Sequence, residues 1–233
     1  MKNIKYLQKL FFLFFMGVSL SFVCACGDDE DDEEYISHNV LYGHKYVDLG
    51  LSVKWATCNV GANSPEEYGG YYAWGETEEK SNYSWDTYKW SYHGSPDHMA
   101  KYCTKKNGFV TEDYRTVLVS VDDVARVNWG GSWRMPTLNE IIELINNCTW
   151  EWRNYNGVNG QLVTGPNGNS IFLPAAGFCS DGDILGSDNC FYWSATLSDY
   201  GDDSAYILYI IDHPQPWAPA YRNQGFPVRP VTE

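Results

Sequence analysis

Residues 128–147 read NWGGSWRMPTLNEIIELINN, and the domain is built around the helix that this stretch predicts. Thr137 is followed three residues later by Glu140, which is the spacing of a capping box. Pro136 restricts Met135 to an extended conformation, and this sharpens the entry into the helix. Apolar residues then recur on one helical face, with Leu144 at its margin: Leu138, Ile141, Ile142 and Ile145. The pattern predicts a helix that lies against a core until about residue 147.

A shorter helix is predicted just before this stretch. Ser120 can cap a helix over residues 121–128. Asp122 and Asp123 place negative charge in its first turn, where it interacts favourably with the helix dipole. Gly130 and Gly131 then end the helix.

The rest of the chain favours strands and loops over helices. The whole chain holds 18 Tyr, 10 Trp, 10 Phe and 21 Gly, and its short aromatic-rich runs are separated by Gly, Asn, Asp and Pro. These runs are read as strands at 45–51, 53–60, 149–152, 161–164, 170–174, 191–194, 205–211, 217–222 and 226–231. We therefore expect a loop-rich α+β domain over residues 39–233.

The charge of the chain excludes one class of partner. At pH 7 the formal net charge is −14, with 30 acidic residues against 16 basic ones. Such a surface repels phosphate backbones, so we expect no binding to nucleic acid.

The N-terminus carries the pattern of an export signal. Lys2, Lys5 and Lys9 precede an apolar run over residues 10–23, which is shorter than a membrane-spanning helix needs. The sequence VCAC at 23–26 resembles a bacterial lipobox, so residues 1–25 are predicted to be a lipoprotein signal peptide and Cys26 the lipidated residue that anchors the chain to a membrane. The alternative is an ordinary cleaved signal with two incidental cysteines.

An acidic segment follows the predicted lipid anchor. Residues 28–34 are seven consecutive Asp or Glu residues, which repel one another and cannot be buried together. Residues 26–38 are therefore predicted to form a solvated tether. The segment also resembles the surface-export signal of Bacteroidota lipoproteins, which implies an outer-membrane lipoprotein exposed at the cell surface; a plain spacer is the other reading.

A series of motifs in one order gives the strongest family resemblance. They are DLGL (48–51), KWATCNVGA (54–62), YAWGE (72–76), NWGGSWRMPT (128–137), NSIFLPAAG (169–177), YWS (192–194) and VRPV (228–231). Together they resemble the Fibrobacter succinogenes major paralogous domain, common in surface lipoproteins of Bacteroidota, from about residue 45 to residue 231.

This resemblance implies a fold and a structural role for the motif residues. The family is similar to the formylglycine-generating-enzyme branch of the C-type-lectin-like fold, a sulfatase-modifying-factor-like α+β domain with two helices, short twisted antiparallel sheets and long loops. It implies core positions for Trp129, Trp133, Trp150 and Trp193 and a helix entry at Pro136 and Thr137. Arg134 would be a buried or half-buried guanidinium that bridges loop carbonyls.

The resemblance does not carry an enzymatic activity to this chain. Formylglycine-generating enzymes bind copper through a late pair of cysteines, and no cysteine lies between Tyr192 and the C-terminus. The five histidines lack metal-ligand spacing, and no G-x-S-x-G or H-E-x-x-H motif occurs. The acidic turns at 180–183 and 199–203 are read as solvated turns, with a hard-cation site as the alternative. We expect no catalysis, no cofactor and no metal.

Five cysteines lie beyond Cys26 in an exported chain, where disulfides are permissible. Cys179 and Cys190 flank an Asp/Gly/Ser-rich loop between two predicted strands, a separation that an antiparallel pair can close, so a disulfide is predicted between them. Cys58, Cys103 and Cys148 leave an odd number, and the sequence selects no pair among them.

The last reversal of the chain is the candidate ligand site. Prolines stiffen residues 213–217, which lowers the entropy cost of presenting Gln215 and Trp217. On the returning strand, Tyr221 and Arg222 supply a stacking face and a fork of donors suited to sugars. The alternative is that Trp217 and Tyr221 simply cap the end of the sheet.

These observations predict a non-catalytic cell-surface protein that binds a glycan or another extracellular ligand, since loops on a rigid scaffold are where binding usually resides. A structural or adhesive protein with a protein partner is the rival, and a modifying enzyme of the formylglycine-generating type is a third class.

Overall fold

The computed structural model describes residues 39–104, 112–210 and 214–233, with the side chains of 214–216 left out. The predicted signal peptide, the predicted lipidation site Cys26, the predicted acidic tether and His213 lie outside the described residues. Within these ranges the protein is a mixed α+β domain with two α-helices and five antiparallel sheets that do not close into a barrel. This confirms the α+β class and the pair of helices.

The elements follow one another in this order. The strands are β1 (Asn39–Leu41), β2 (His44–Val47), β3 (Lys54–Ala56), β4 (Ser91–Tyr92), β5 (Ser95–Met99), β6 (Thr149–Tyr155), β7 (Val158–Thr164), β8 (Ser170–Pro174), β9 (Phe178–Ser180), β10 (Asp183–Leu185), β11 (Cys190–Leu197), β12 (Ser204–Ile210), β13 (Pro214–Tyr221) and β14 (Val231–Thr232). The helices are α1 (Val124–Trp129) and α2 (Leu138–Asn147), with 3-10 turns at Trp85–Thr87 and Ser120–Asp122.

Three of the sheets form the framework of the domain. Their strand orders are β1-β2-β3-β14, β6-β7-β8 and β11-β12-β13, and β4-β5 and β9-β10 form two small additional pairs. The C-terminal strand β14 returns to pair with β3, so that Val231 lies opposite Trp55. The two ends of the described domain therefore meet in one sheet.

Helix α2 begins where the capping box predicts. The Thr137 side chain accepts a hydrogen bond from the Glu140 amide, and the Glu140 carboxylate accepts one from the Thr137 amide at 2.7 Å. Ile141 and Leu144 are its buried residues, so Leu144 lies inside the packed face and not at its margin as expected. The helix packs against the cluster that contains Val163, Leu173 and other residues of the sheets.

Arg134 stabilises the start of α2 by binding the carboxylate of Glu140. Its guanidinium makes a two-pronged contact with Glu140 at 2.6 and 2.8 Å, and one prong also reaches the Met135 carbonyl at 3.3 Å. The expectation of bridged loop carbonyls is therefore corrected: the main partner is an acid of the same capping box. Burial by itself raises the pKa of Glu140, but the hydrogen bonds from Arg134 and Thr137 outweigh it and hold that pKa below its usual value.

Helix α1 starts later than predicted. Ser120 opens a 3-10 turn, and the cap of the α-helix is Asp123, whose carboxylate accepts the Arg126 amide at 3.1 Å. The same carboxylate accepts the Met135 amide at 2.9 Å, so a segment twelve residues further on fixes Asp123 in this role. Desolvation raises the pKa of the buried Asp123 carboxyl.

The motif tryptophans are packed as the resemblance implies, with one exception. Trp129 and Trp133 meet edge to face at 5.0 Å, and the Trp133 indole donates to the Leu41 carbonyl. Trp193 is fully buried in the same cluster. Trp150 is half-buried and packs at the margin of a second cluster, since it lies on the edge strand β6.

Cys179 and Cys190 are free thiols, which corrects the predicted disulfide. Cys190 lies on β11 in the cluster around Trp55 and Leu173, and its thiol donates to the Leu173 carbonyl at 3.3 Å. Cys179 belongs to a separate cluster with Tyr83 and Met99. The two strands bury their thiols in different parts of the core, and burial raises the pKa of the Cys190 thiol to about 12.

Candidate ligand-binding groove

A surface depression with a volume of about 770 Å³ lies on one face of the β11-β12-β13 sheet. Its floor comes from alternate strand positions, because successive side chains of a strand point to opposite faces. Ile207 and Tyr209 lie on β12, and Ala218 and Ala220 lie beside them on β13, with Ile207 opposite Ala218. The two alanines leave the space that larger residues would fill. We call this depression the groove.

Three phenylalanines continue the apolar floor beyond the strands. Phe178 stacks on Phe226 with ring centroids 5.0 Å apart, and Phe191 stacks on Tyr209 at 5.1 Å. Phe178 also meets Phe191 edge to face. Because each ring is fixed by another ring, the floor is preformed and needs little ordering when a ligand binds.

The rim of the groove carries exposed tyrosines and polar groups. Tyr200 is 70% exposed and Tyr221 is 54% exposed. Asp203, Ser204 and Gln224 line the same groove and bring a carboxylate, a hydroxyl and a carboxamide to it. The Trp85 ring supports Tyr221 edge-on at 5.9 Å. The arrangement combines flat aromatic faces with hydrogen-bonding groups of both kinds.

Of the four residues expected from the sequence at this site, Tyr221 lines the groove. Trp217 is half-buried and packs edge to face against Tyr206 at 5.1 Å, next to the groove residue Ala218 in the strand. Neither Trp217 nor its partner Tyr206 lines the groove, which favours the alternative that Trp217 caps the sheet. The side chain of Gln215 lies outside the described residues.

Arg222 is an internal residue, and this corrects its expected role in binding a ligand. Its side chain is 0% exposed. The guanidinium donates to the Tyr88 hydroxyl at 2.8 Å and to the backbone carbonyls of Lys101 and Asp202 at 3.0 and 2.6 Å. It also lies over the Trp74 ring at 4.8 Å. All of its donors point into the protein, so it holds the loop at residues 101–104 to the end of β13.

Two acidic residues beside the groove have structural partners. Thr104 donates through both its amide and its hydroxyl to the Asp202 carboxylate, at 3.0 and 2.6 Å. Asp199 accepts a hydrogen bond from the Tyr206 hydroxyl. These bonds favour a turn fixed by the protein itself over a cation site in residues 199–203. Across residues 39–104, 112–210 and 214–233, no three His, Cys, Asp or Glu side chains are placed to hold a metal ion.

A second candidate region surrounds a ring stack outside the groove. His44 lies flat on Trp129, with ring centroids 3.7 Å apart and an interplanar angle of 5°. Clefts of about 470 and 500 Å³ flank the stack. Desolvation lowers the pKa of His44, which favours the neutral ring. Because His44 already covers the face of Trp129, this region offers a ligand less stacking surface than the groove does.

Comparison with protein-family models, with curated proteins and with solved structures finds no match to this chain. In the part of the chain that the structure describes, neither helix has the length and apolar character needed to cross a bilayer.

Proposed function

We propose that this chain is a non-catalytic lipoprotein of the cell surface, with a C-type-lectin-like domain that binds a glycan in the groove. The observation that carries the proposal is the joint presence of two exposed tyrosines and three polar side chains around a rigid apolar floor. The series of motifs that resembles the Fibrobacter succinogenes major paralogous domain supports the same reading, because that family is common in surface lipoproteins.

The chemistry of the groove suits a sugar. Pyranose rings present a C–H face that packs on an aromatic ring, and Tyr200 and Tyr221 offer such faces. Sugar hydroxyls both donate and accept, which matches the carboxylate of Asp203, the hydroxyl of Ser204 and the carboxamide of Gln224. A volume of about 770 Å³ lies within the range of small-ligand sites.

The charge around the groove selects among glycans. The described lining residues include the acid Asp203 and no Lys, Arg or His. The whole chain carries a net charge of −14, which adds a long-range repulsion for anions. We therefore infer that a neutral glycan is bound in preference to a sulfated or uronic-acid polymer.

Removal of either rim tyrosine is expected to abolish most of this binding. The full chain in nonionic detergent is tested against a glycan array with neutral and acidic polymers, as wild type and as Tyr200→Ala or Tyr221→Ala. Loss of one stacking face should weaken binding by about tenfold or more, since aromatic contacts are worth roughly 0.5–1.5 kcal/mol beyond their buried area. The melting temperature should stay within about 2 °C of wild type, because both side chains are exposed.

Tyr68→Ala is the matched control, because Tyr68 is an exposed tyrosine outside the groove. It should leave glycan binding unchanged. If wild type binds no glycan, or binds acidic polymers best, or binds equally well in all three variants, the groove is not the glycan site. Capture of a protein in place of a glycan would favour the adhesive alternative.

The proposed anchor is tested independently of the groove. Cys26→Ala should abolish metabolic labelling with fatty acid and release the chain from membranes, because Cys26 follows the small Ala25 of the lipobox-like sequence. Cys24→Ala is the control and should keep both label and membrane association. Membrane-free wild type without an acyl chain would contradict the lipoprotein assignment.

A further inference from the structure

Strand β6 is the open edge of its sheet. The order β6-β7-β8 leaves one side of β6 without a neighbouring strand among the described residues. Six of its seven residues are exposed, and Trp150 is half-buried. Trp152 stands 47% exposed in the middle of the strand. Edge strands of this length with exposed aromatic residues offer a template for another strand.

The turn between β6 and β7 shows which backbone groups face outward. Asn156 and Gly157 have φ angles of 49° and 86°, as in a two-residue hairpin turn with two left-handed residues, and Tyr155 lies opposite Val158. Such a turn closes on a pair that exchanges hydrogen bonds, and hydrogen-bonded pairs then alternate along the ladder. The backbone N–H and C=O groups of four β6 residues therefore point towards β7: Tyr155, Arg153, Glu151 and Thr149.

The outward groups consequently belong to Trp150, Trp152 and Asn154. A contact on the next strand agrees with this phase, because the Asn159 carbonyl, opposite Asn154, accepts the Ala175 amide at 2.9 Å. Asn159 is thus turned away from β6. The open edge presents three amides and three carbonyls, spaced as one strand needs for another.

The side chains of this edge are complementary to themselves. Glu151 and Arg153 flank Trp152 on either side. In an antiparallel pair centred on Trp152, Glu151 of each copy lies opposite Arg153 of the other, and Trp152 lies opposite Trp152. We propose that β6 pairs with β6 of a second copy of this chain, antiparallel and about a two-fold axis at Trp152.

Two features of the geometry support this occupant. Trp152 would form a hydrogen-bonded pair on the axis, so the Glu151–Arg153 pairs on either side are non-hydrogen-bonded pairs, whose Cα atoms approach to about 4.5 Å and whose side chains lie closest. Within one copy the same two side chains already meet at 2.9 Å on the exposed face, so both are oriented along the edge. Dimerisation would exchange the one contact within each copy for two contacts between copies.

The local charge permits two copies to approach. Residues 148–164, which span β6, the turn and β7, contain one acid and one base and are neutral, although the chain as a whole carries −14. A partner strand of another sequence would not reproduce the paired Glu151 and Arg153, and this is why a second copy is the occupant inferred. The contact area of one strand edge is small, so the dimer is expected to be weak, in the micromolar to millimolar range.

Charge inversion tests the pairing. In Glu151→Arg the edge carries two positive charges and in Arg153→Glu two negative ones, so each variant alone places like charges opposite one another. Sedimentation over a concentration series of the full chain in nonionic detergent should show that each inversion weakens dimerisation by about tenfold or more. An equimolar mixture of the two variants should form a heterodimer, and the double variant Glu151→Arg/Arg153→Glu should dimerise like wild type.

Inversions at exposed residues away from β6, Asp188→Arg and Arg115→Glu, make the same changes in net charge and should leave the dimer unchanged. Wild type that stays monomeric up to millimolar concentration would overturn the proposal. So would a dimer that survives both single inversions, or single variants whose mixture fails to associate. None of these results depends on glycan binding.

Discussion

Arg222→Met should lower the free energy of unfolding by about 3–5 kcal/mol, because the substitution leaves several buried acceptors without a donor. The carbonyls of Lys101 and Asp202 and the Tyr88 hydroxyl all lose their hydrogen bond from the guanidinium. A methionine of similar length fills part of the space, so the loss measures chiefly the polar contacts. Urea unfolding of the full chain in detergent, followed by tryptophan fluorescence, gives the value.

The rings around Arg222 make a second variant informative. The guanidinium lies over Trp74, Tyr88 and Tyr102 at 4.8 to 5.7 Å, so a cation at this position also gains from the aromatic faces. Arg222→Lys keeps the charge but lacks the planar fork that reaches three acceptors. Its free energy of unfolding should therefore fall between those of wild type and Arg222→Met. A loss below about 1 kcal/mol in Arg222→Met would show that the network contributes little to stability.

The sequence predicted Arg222 at a ligand surface because Tyr221 and Arg222, on the returning strand, supply a stacking face and a fork of donors suited to sugars. Besides Asp202, the partners of Arg222 lie more than 100 residues earlier in the chain: Trp74, Tyr88, Lys101 and Tyr102. No local signal indicates that this distant loop lies across the end of β13. Tyr221, one residue before, stays exposed and does line the groove.

The helices show which local signals suffice. The start of α2 was predictable because its capping box is complete within four residues, Thr137 to Glu140. The start of α1 was not, because Asp123 is held as the cap by the Met135 amide as well as by its own helix. From the sequence alone, Ser120 and Asp123 are both acceptable caps, because Asp122 and Asp123 suit the first turn of a helix as well as its cap.

The hairpin of β6 and β7 was detectable but was not predicted. Asn156 and Gly157 are the residue pair most typical of a two-residue turn, and the runs on both sides alternate in the manner of strands. The strand that the sequence predicts ends at residue 152, three residues before the end of β6. The edge that carries the proposed dimer therefore becomes complete only in the structure.

The groove itself depends on tertiary packing. Its alanines are unremarkable in sequence, and Phe178, Phe191 and Phe226 come from three separate segments. The sequence indicates Tyr200 and Asp203 only as members of an acidic turn. Hydrogen bonds from Thr104 and Tyr206 to other aspartates of that turn hold it beside the groove. The disulfide prediction failed for a related reason, since the spacing of Cys179 and Cys190 does not show which core each thiol enters.

Trp193→Ala should also destabilise the domain by about 3–5 kcal/mol, because it empties a large site in the centre of the core. Trp193 is fully buried on β11, meets Phe226 at 4.6 Å and donates its indole N–H to the Tyr72 carbonyl at 2.7 Å. Its backbone amide also donates to the Pro227 carbonyl at 3.2 Å. The side chain thus links the central sheet to the segments that contain Tyr72 and Phe226.

Two further variants separate the causes of that loss. Trp193→Phe keeps most of the ring but leaves the Tyr72 carbonyl without its donor, so it should cost about 1–3 kcal/mol. Val121→Ala changes a side chain that is 71% exposed and should stay within about 0.5 kcal/mol of wild type. Equal unfolding free energies for Trp193→Ala and Val121→Ala would contradict a core role for Trp193. Because Phe226 both touches Trp193 and forms the floor of the groove, a relaxed cavity at Trp193 should weaken glycan binding as well, whereas Trp193→Phe should preserve it.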